Sequence, residues 1–131
     1  MARKITPFLM FEDAAEEAMQ FYVSVFHNSE IKTIEKYGPG EPGAEGSVKL
    51  AEFNIAGQDV RCIDSPAKHQ FTFTPSVSLF VECENETELG MAFERLSEKG
   101  QVLMPLGNYG FSRKFGWVND RFGVSWQLNL H

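Results

Sequence analysis

Residues Ile5 to Phe26 read ITPFLMFEDAAEEAMQFYVSVF. Ile5 to Phe11 is a short apolar run closed by Glu12-Asp13, the pattern of a buried strand. Asp13 is placed to cap a helix, with Glu16 three residues on in a capping-box-like arrangement. Glu16 and Glu17 fall where the helix dipole favours negative charge. Ala15, Ala18, Met19, Tyr22, Val23 and Phe26 recur at helical spacing, which predicts a helix over Ala14 to His27, with Asn28 as its terminator.

From this strand–helix unit the pattern extends outward. Glu30 to Tyr37 is rich in β-branched residues and reads as a strand. Gly38-Pro39-Gly40-Glu41-Pro42-Gly43 is a loop, expected to be a flexible connector. Val48 to Ile55 alternates, and Gly57 marks a tight turn into Val60 to Ile63, which predicts an antiparallel hairpin. Asp64 to Phe73 contains Pro66 and little periodicity, and reads as a linker. The plan then repeats. Val77 to Glu82 is a strand, and Asn85 caps a helix over 85–99 with Glu88 three residues on. Leu89, Ala92, Phe93 and Leu96 form its apolar stripe, and Gly100 sits where a left-handed residue ends a helix. Val102 to Leu106 is a strand. Phe111 to Val118 and Val124 to Leu130 form a last hairpin around Asp120-Arg121-Phe122-Gly123.

Two details mark the halves as copies. Thr6-Pro7 opens the first strand and Thr74-Pro75 the corresponding one. Ala18-Met19-Gln20-Phe21 in the first helix matches Gly90-Met91-Ala92-Phe93 in the second. The expected organisation is one α+β domain of two βαβββ modules, residues 1–66 and 74–131. A ligand is then expected between the halves.

Composition narrows the function classes. The 131 residues have a net charge of −6 and a pI near 5.0. That excludes nucleic acid and anionic membrane surfaces as expected partners, since phosphate binding needs clustered Lys and Arg. No apolar run approaches a membrane span, and Met1-Ala2-Arg3-Lys4 opens no signal-peptide pattern. Cys62 and Cys83 have no CxxC spacing, which suggests free thiols in a reducing, cytoplasmic setting; a single disulfide stays open. Twelve phenylalanines imply an aromatic core or an aromatic-lined cavity.

Several segments together resemble the PhnB-like (3-demethylubiquinone methyltransferase-like) branch of the glyoxalase/bleomycin-resistance, or vicinal oxygen chelate, superfamily. They are Ile5 to Phe11, Ala14 to Ala18 with Phe21-Tyr22 and Val25-Phe26, Ala51 to Gln58, Met104-Pro105-Leu106, Phe115 to Asp120, and Phe122 to Trp126. The resemblance implies two tandem βαβββ modules forming a cupped mixed sheet with helices on its outer face, and a homodimer. No glycine-rich strand-to-helix turn of the kind that holds S-adenosylmethionine occurs.

Metal-using members of the superfamily set His and Glu on the strands lining the cup, a donor set suited to a divalent ion. Here those positions carry Thr6, Pro7 and Phe8, Leu50 before Ala51, Ser76, Val77 and Ser78, and Gln127. His27 ends a helix, His69 lies in the linker and His131 is the last residue. No metal and no cofactor are expected. Glu52 is the one carboxylate on a central strand, readable as a ligand, a general base or a paired surface charge. Cys62 lacks a His or Asp partner in sequence and reads as a structural thiol. Ser112-Arg113-Lys114 offers a compact cation pair, either an anion site or a solvated strand end.

Strand alternation orients the candidates. Val124, Trp126 and Leu128 share one face, suited to helix packing; Ser125, Gln127 and Asn129 share the other. Ser76, Ser78 and Phe80 oppose Val77, Leu79 and Val81, and Phe8 and Met10 oppose Leu9 and Phe11. The candidate ligand-binding set is Phe8, Met10, Glu52, Ser78, Phe80, Arg113, Trp117 and Gln127. Three readings follow: a metal-free binder of a small organic molecule, a metal-dependent lyase, isomerase or dioxygenase, and a structural or regulatory dimer with a packed cup.

Overall fold

The computed structural model describes residues 1–131. The chain divides into two compact units, Met1–His69 and Gln70–His131. Each has one helix and one four-stranded mixed sheet in the order strand, helix, three strands.

Unit one contains β1 (Phe8–Phe11), α1 (Ala15–Val25), β2 (Glu30–Lys36), β3 (Val48–Ile55) and β4 (Gln58–Asp64). The sheet order is β1-β4-β3-β2. β1 pairs parallel with β4, while β4–β3 and β3–β2 are antiparallel. From Ala51 onward β3 and β4 alternate as expected on a sheet with one covered face, and a bulge between the Leu50 and Val48 pairings puts Val48 on the covered face as well. Val48, Ala51, Phe53, Ile55, Val60 and Cys62 are buried, along with Ala15, Ala18, Met19 and Tyr22 of α1. Tyr22 stacks on Phe53 at a centroid distance of 6.3 Å. The β3–β4 turn has consecutive positive φ at Ala56 (49°) and Gly57 (96°), the conformation of a two-residue hairpin that matches strand twist.

Two expectations for this unit fail for the same reason. Asp13 does not cap α1: it has φ 66°, and Ala14 occupies the cap position with no side-chain hydrogen bond. Asp64, expected in a linker, ends β4 and supplies the cap instead. Its Oδ1 accepts from the backbone N–H groups of Ala14 (3.0 Å) and Ala15 (2.9 Å), and its Oδ2 from that of Val48 (2.9 Å). The first strand is also shorter than Ile5 to Phe11; Ile5 lies outside it and is exposed. The 38–43 loop is tied rather than free. Gly38 N–H donates to Glu41, Glu41 pairs with Lys49, and the Tyr37 ring lies where a Cβ on Gly43 would have to be.

Unit two contains β5 (Ser78–Glu82), α2 (Glu86–Ser97), β6 (Gln101–Gly107), β7 (Lys114–Asn119) and β8 (Ser125–Leu130), in the sheet order β5-β8-β7-β6. Here the cap is local, as expected: Asn85 Oδ1 accepts from Glu88 N–H at 2.8 Å, and Glu88 Oε1 accepts from Glu84 N–H at 2.9 Å. Leu89, Ala92 and Leu96 are buried with Val118, Trp126 and Leu128. The 120–123 turn is built on buried Asp120, which accepts from the backbone of Phe122 and Val124 and from Trp126 Nε1.

Gly100 is not the left-handed residue after α2; Lys99 is, with φ 60°. Gly100 is needed for a close approach, since a Cβ there would lie 2.2 Å from the Asn119 carbonyl oxygen. Gly116 lets α2 approach β7: its Cβ would meet the Phe93 ring at 2.6 Å.

Removing the Asp64 carboxylate leaves three backbone donors without an acceptor, at about 1–3 kcal/mol for each that stays buried. Asp64→Ala is therefore expected to lower unfolding free energy by about 3 kcal/mol or more in urea titration, and Asp64→Asn, which keeps one acceptor oxygen, by less. Equal small losses in both variants would contradict the capping role. Gly100→Ala is expected to cost about 1–3 kcal/mol by forcing the Asn119 backbone aside.

Candidate functional site

Each sheet has one face covered by its helix and one free of it, and the strand registers place the candidates on the free faces. In unit one, Phe8, Arg61, Glu52 and Thr33 form a row across β1, β4, β3 and β2, and Met10 lies beside Ile63. Phe8, Met10 and Glu52 thus share a face. Phe8 is exposed and Met10 half-buried.

That face is ionic. Glu52 accepts from Arg61 Nε at 3.1 Å and pairs with Lys32 at 3.4 Å; Asp59 pairs with Lys4 and Lys32 and accepts from Asn54 Nδ2 at 2.8 Å. The Arg61 hydrogen bond holds the Glu52 carboxyl below the usual carboxylate range, and Lys4, Asn54 and Lys32 do the same to Asp59. A carboxylate lowered in this way is a weak base at neutral pH, whereas general-base work calls for a pKa near the operating pH. Glu52 is held as an ion-pair partner.

In unit two the free face consists of three rows across β5, β8, β7 and β6. They are Ser78–Ser125–Asn119–Gln101, Phe80–Gln127–Trp117–Met104, and Glu82–Asn129–Phe115–Gly107. Four candidates, Ser78, Phe80, Trp117 and Gln127, therefore meet in two adjacent rows. Three of them, Ser78, Trp117 and Gln127, are joined through Ser125 by a hydrogen-bonded chain. Trp117 Nε1 donates to Ser125 Oγ at 2.8 Å, Ser125 Oγ and Ser78 Oγ are 2.7 Å apart, and Gln127 Nε2 donates to Ser78 Oγ at 3.2 Å. Ser125 is buried, while Ser78, Trp117 and Gln127 are half-buried. Phe80 is 55% exposed and lies against Phe115, whose ring also takes edge contacts from Tyr109 and Phe111.

Arg113 does not join them. It precedes β7, its Nε donates to the His131 carbonyl at 2.9 Å, and Lys114 pairs with Glu86 of α2 on the opposite face. Alternation divides the expected cation pair, and each partner is engaged elsewhere. Ser125, the hinge of the chain, and Phe115, the hub of the aromatic cluster, were not among the candidates. The sequence does place Ser125 on the same face as Gln127, and that was the signal for it. Asn119 Oδ1 in the first row is buried without a hydrogen-bond partner.

Two kinds of bound group can be tested against these residues. No three His, Cys, Asp or Glu side chains gather as a metal-holding cluster, and the hydroxyl, amide and indole groups of unit two are poor donors for a divalent ion. His69 instead contacts Ser65 Oγ through Nε2 at 2.9 Å. A nucleotide-type cofactor is commonly held at a helix N-terminus behind a glycine-rich turn. The β1–α1 and β5–α2 junctions contain no glycine. Both helix starts are already filled, by Asp64 and by Asn85. Neither group fits the residues present.

Tandem strand–helix–three-strand modules, each with a mixed sheet and one helix, define a protein of the glyoxalase/bleomycin-resistance fold. A glyoxylase/bleomycin resistance protein/dioxygenase domain from Frankia sp. EAN1pec shares it, with a TM-score of 0.65 at 14% identity over 99% of this chain and 98% of that one. The family model described as 3-demethylubiquinone-9 3-methyltransferase matches residues 3–129, and the chain belongs to that family. It is 56% identical to a putative 3-demethylubiquinone-9 3-methyltransferase, PhnB protein, from Bacillus cereus, with a TM-score of 0.96 over 98% of this chain and 100% of that one. It is also similar to protein PA1353 from Pseudomonas aeruginosa, at 26% identity and a TM-score of 0.87 over 99% and 98% of the two chains. These likenesses place the chain in the PhnB-like branch.

The two cysteines are free and buried. Burial, with the Asp64 charge, pushes the Cys62 thiol up to about 12, and burial with Glu88 and Glu82 pushes Cys83 up to about 11. Reactivity follows the thiolate, so both thiols are expected to react slowly at neutral pH. Ellman titration of native protein at pH 8 is expected to show no fast thiol, and denatured protein two. A fast native thiol would contradict this reading.

Proposed function

We propose that the protein binds a small, partly hydrophobic organic molecule on the free face of unit two, without a catalytic metal, and works as a homodimer. The observation that carries the reading is the row Phe80–Gln127–Trp117, with the Ser78–Ser125 pair beside it. An apolar surface with a few convergent polar groups is the usual make-up of a small-molecule site. Aromatic faces take a planar ligand at little conformational cost, and the hydroxyl–amide chain orients it. The ionic face of unit one, including Glu52, is internally paired; Phe8 and Met10 are its apolar contribution. The structure contains no helix long and apolar enough to cross a membrane.

A panel of planar aromatic compounds followed by amide and indole NMR tests this. Shifts are expected to concentrate at Phe80, Trp117 and Gln127 and to spare Trp126, which is buried on the other face. Shifts confined elsewhere, or none at millimolar compound, would sink the proposal. Elemental analysis with melts in Mn, Fe, Ni and Zn ions tests the metal-free part. A metal retained near one-to-one, with a metal-specific rise in melting temperature, would favour the metal-dependent alternative. Light scattering is expected to give about twice the 14.8 kDa chain mass if the dimer forms.

A further inference from the structure

The hydrogens of the Trp117–Ser125–Ser78–Gln127 chain do not all find acceptors. The indole N–H of Trp117 can only donate, so Ser125 Oγ accepts it. Ser125 is buried, so its own hydrogen must go to a protein acceptor, and Ser78 Oγ at 2.7 Å is the one in reach. Ser78 Oγ therefore accepts from Ser125. Where the Gln127 amide also donates to Ser78, the Ser78 hydroxyl hydrogen has no protein acceptor. Where the amide is turned over, Ser78 donates to it, and the Gln127 NH₂ group keeps its hydrogens instead. Both orientations leave a donor at the Ser78–Gln127 junction, on two half-buried residues, beside exposed Phe80.

The charge around that donor narrows what can accept from it. The four strands of unit two carry two ionisable side chains, Glu82 and Lys114. Lys114 is on the helix-covered face, paired with Glu86 at 3.3 Å. Glu82 lies on the same face as Ser78, two rows along. The two rows that hold the donor, Ser78–Ser125–Asn119–Gln101 and Phe80–Gln127–Trp117–Met104, carry no charged side chain to offset the desolvation of an anion. A neutral acceptor has no such penalty.

We infer that the Ser78–Gln127 junction hydrogen-bonds the neutral carbonyl-type oxygen of a planar, largely apolar ligand whose body lies on Phe80 and Trp117. This rests on the binding reading above and adds the chemistry of its polar end.

A matched pair of probes separates the two claims: 2-acetylnaphthalene and 2-ethylnaphthalene have the same ring system, and only the first has an acceptor oxygen. Titrations would follow the Trp117 indole N–H resonance. The acetyl compound is expected to bind about five- to tenfold more tightly, the gain from one added hydrogen bond. The double variant Ser78→Ala/Gln127→Leu, which removes the donor in either amide orientation, is expected to erase that difference while still binding the ethyl compound, whereas Ser78→Thr, which keeps the hydroxyl on a strand, is expected to retain it. Retained binding of the ethyl compound also shows that the double variant is folded. Equal binding of both probes to wild type, or an unchanged preference in the double variant, would overturn the inference and leave the binding reading standing. Absence of binding by either probe would overturn both.

Discussion

The buried carboxylate of Asp64 ties together the elements of unit one. It closes β4, yet its two oxygens serve groups distant in sequence: the first two N–H groups at the start of α1 and the N–H that opens β3. The same residue's carbonyl accepts from Tyr37 Oη at 3.1 Å, and the Tyr37 ring packs over Gly43 in the loop between β2 and β3. Helix start, strand start and loop are thus fixed by one residue. A buried carboxylate is tolerated because backbone donors satisfy it and a helix N-terminus is a favourable place for negative charge. The geometry then fixes how α1 lies across β3 and β4, and with it which face of the sheet stays uncovered.

Unit two reaches the same layout by different means. Asn85 and Glu88 cap α2 from within three residues, so its helix start needs no distant strand. Its buried carboxylate, Asp120, is spent on the last turn and on Trp126. The two modules share topology and differ in the interactions that hold it, as expected when packing and pattern, rather than any one bond, specify a fold.

This difference explains what was legible in the sequence. Strand alternation, helical stripes and the Asn85 cap are local signals, and they gave the element order and the covered faces, with the starts of β1 and β7 expected three residues too early, at Ile5 and Phe111. Val48–Ile55 is a strand with the bounds expected. Asp64 was assigned to the linker because Pro66 and a loss of periodicity follow it; its role depends on the N–H groups of Ala14, Ala15 and Val48, which lie 50, 49 and 16 residues away. Asp13 was misread for the complementary reason: a local cap is unneeded where a distant one is present. Gly100 shows the same limit. Its position after a helix suggests a left-handed residue, but its cause is the Asn119 carbonyl across the sheet, which no local pattern reveals. At the site, period-two alternation put Ser78, Phe80 and Gln127 on one face. It could not show that Ser125 joins them into a chain, nor that Arg113 turns to the His131 carbonyl.

The contrast between the free faces bears on where a neutral ligand has something to gain. On unit one, Lys4, Lys32 and Arg61 are matched against Asp59 and Glu52. Covering such a network with an apolar molecule would strip water from charges that already satisfy one another, and desolvation of that kind opposes binding. On unit two the polar groups of the Ser78 and Gln127 rows are neutral, most of their hydrogen bonds are internal, Glu82 lies two rows from Ser78, and Phe80 and Phe115 make the neighbouring surface aromatic. Covering those two rows costs little solvation, and an unmatched donor there gains an acceptor. The two modules share one plan, yet the free face of unit one is closed by its own ion pairs and that of unit two keeps a hydrogen-bonding group to offer.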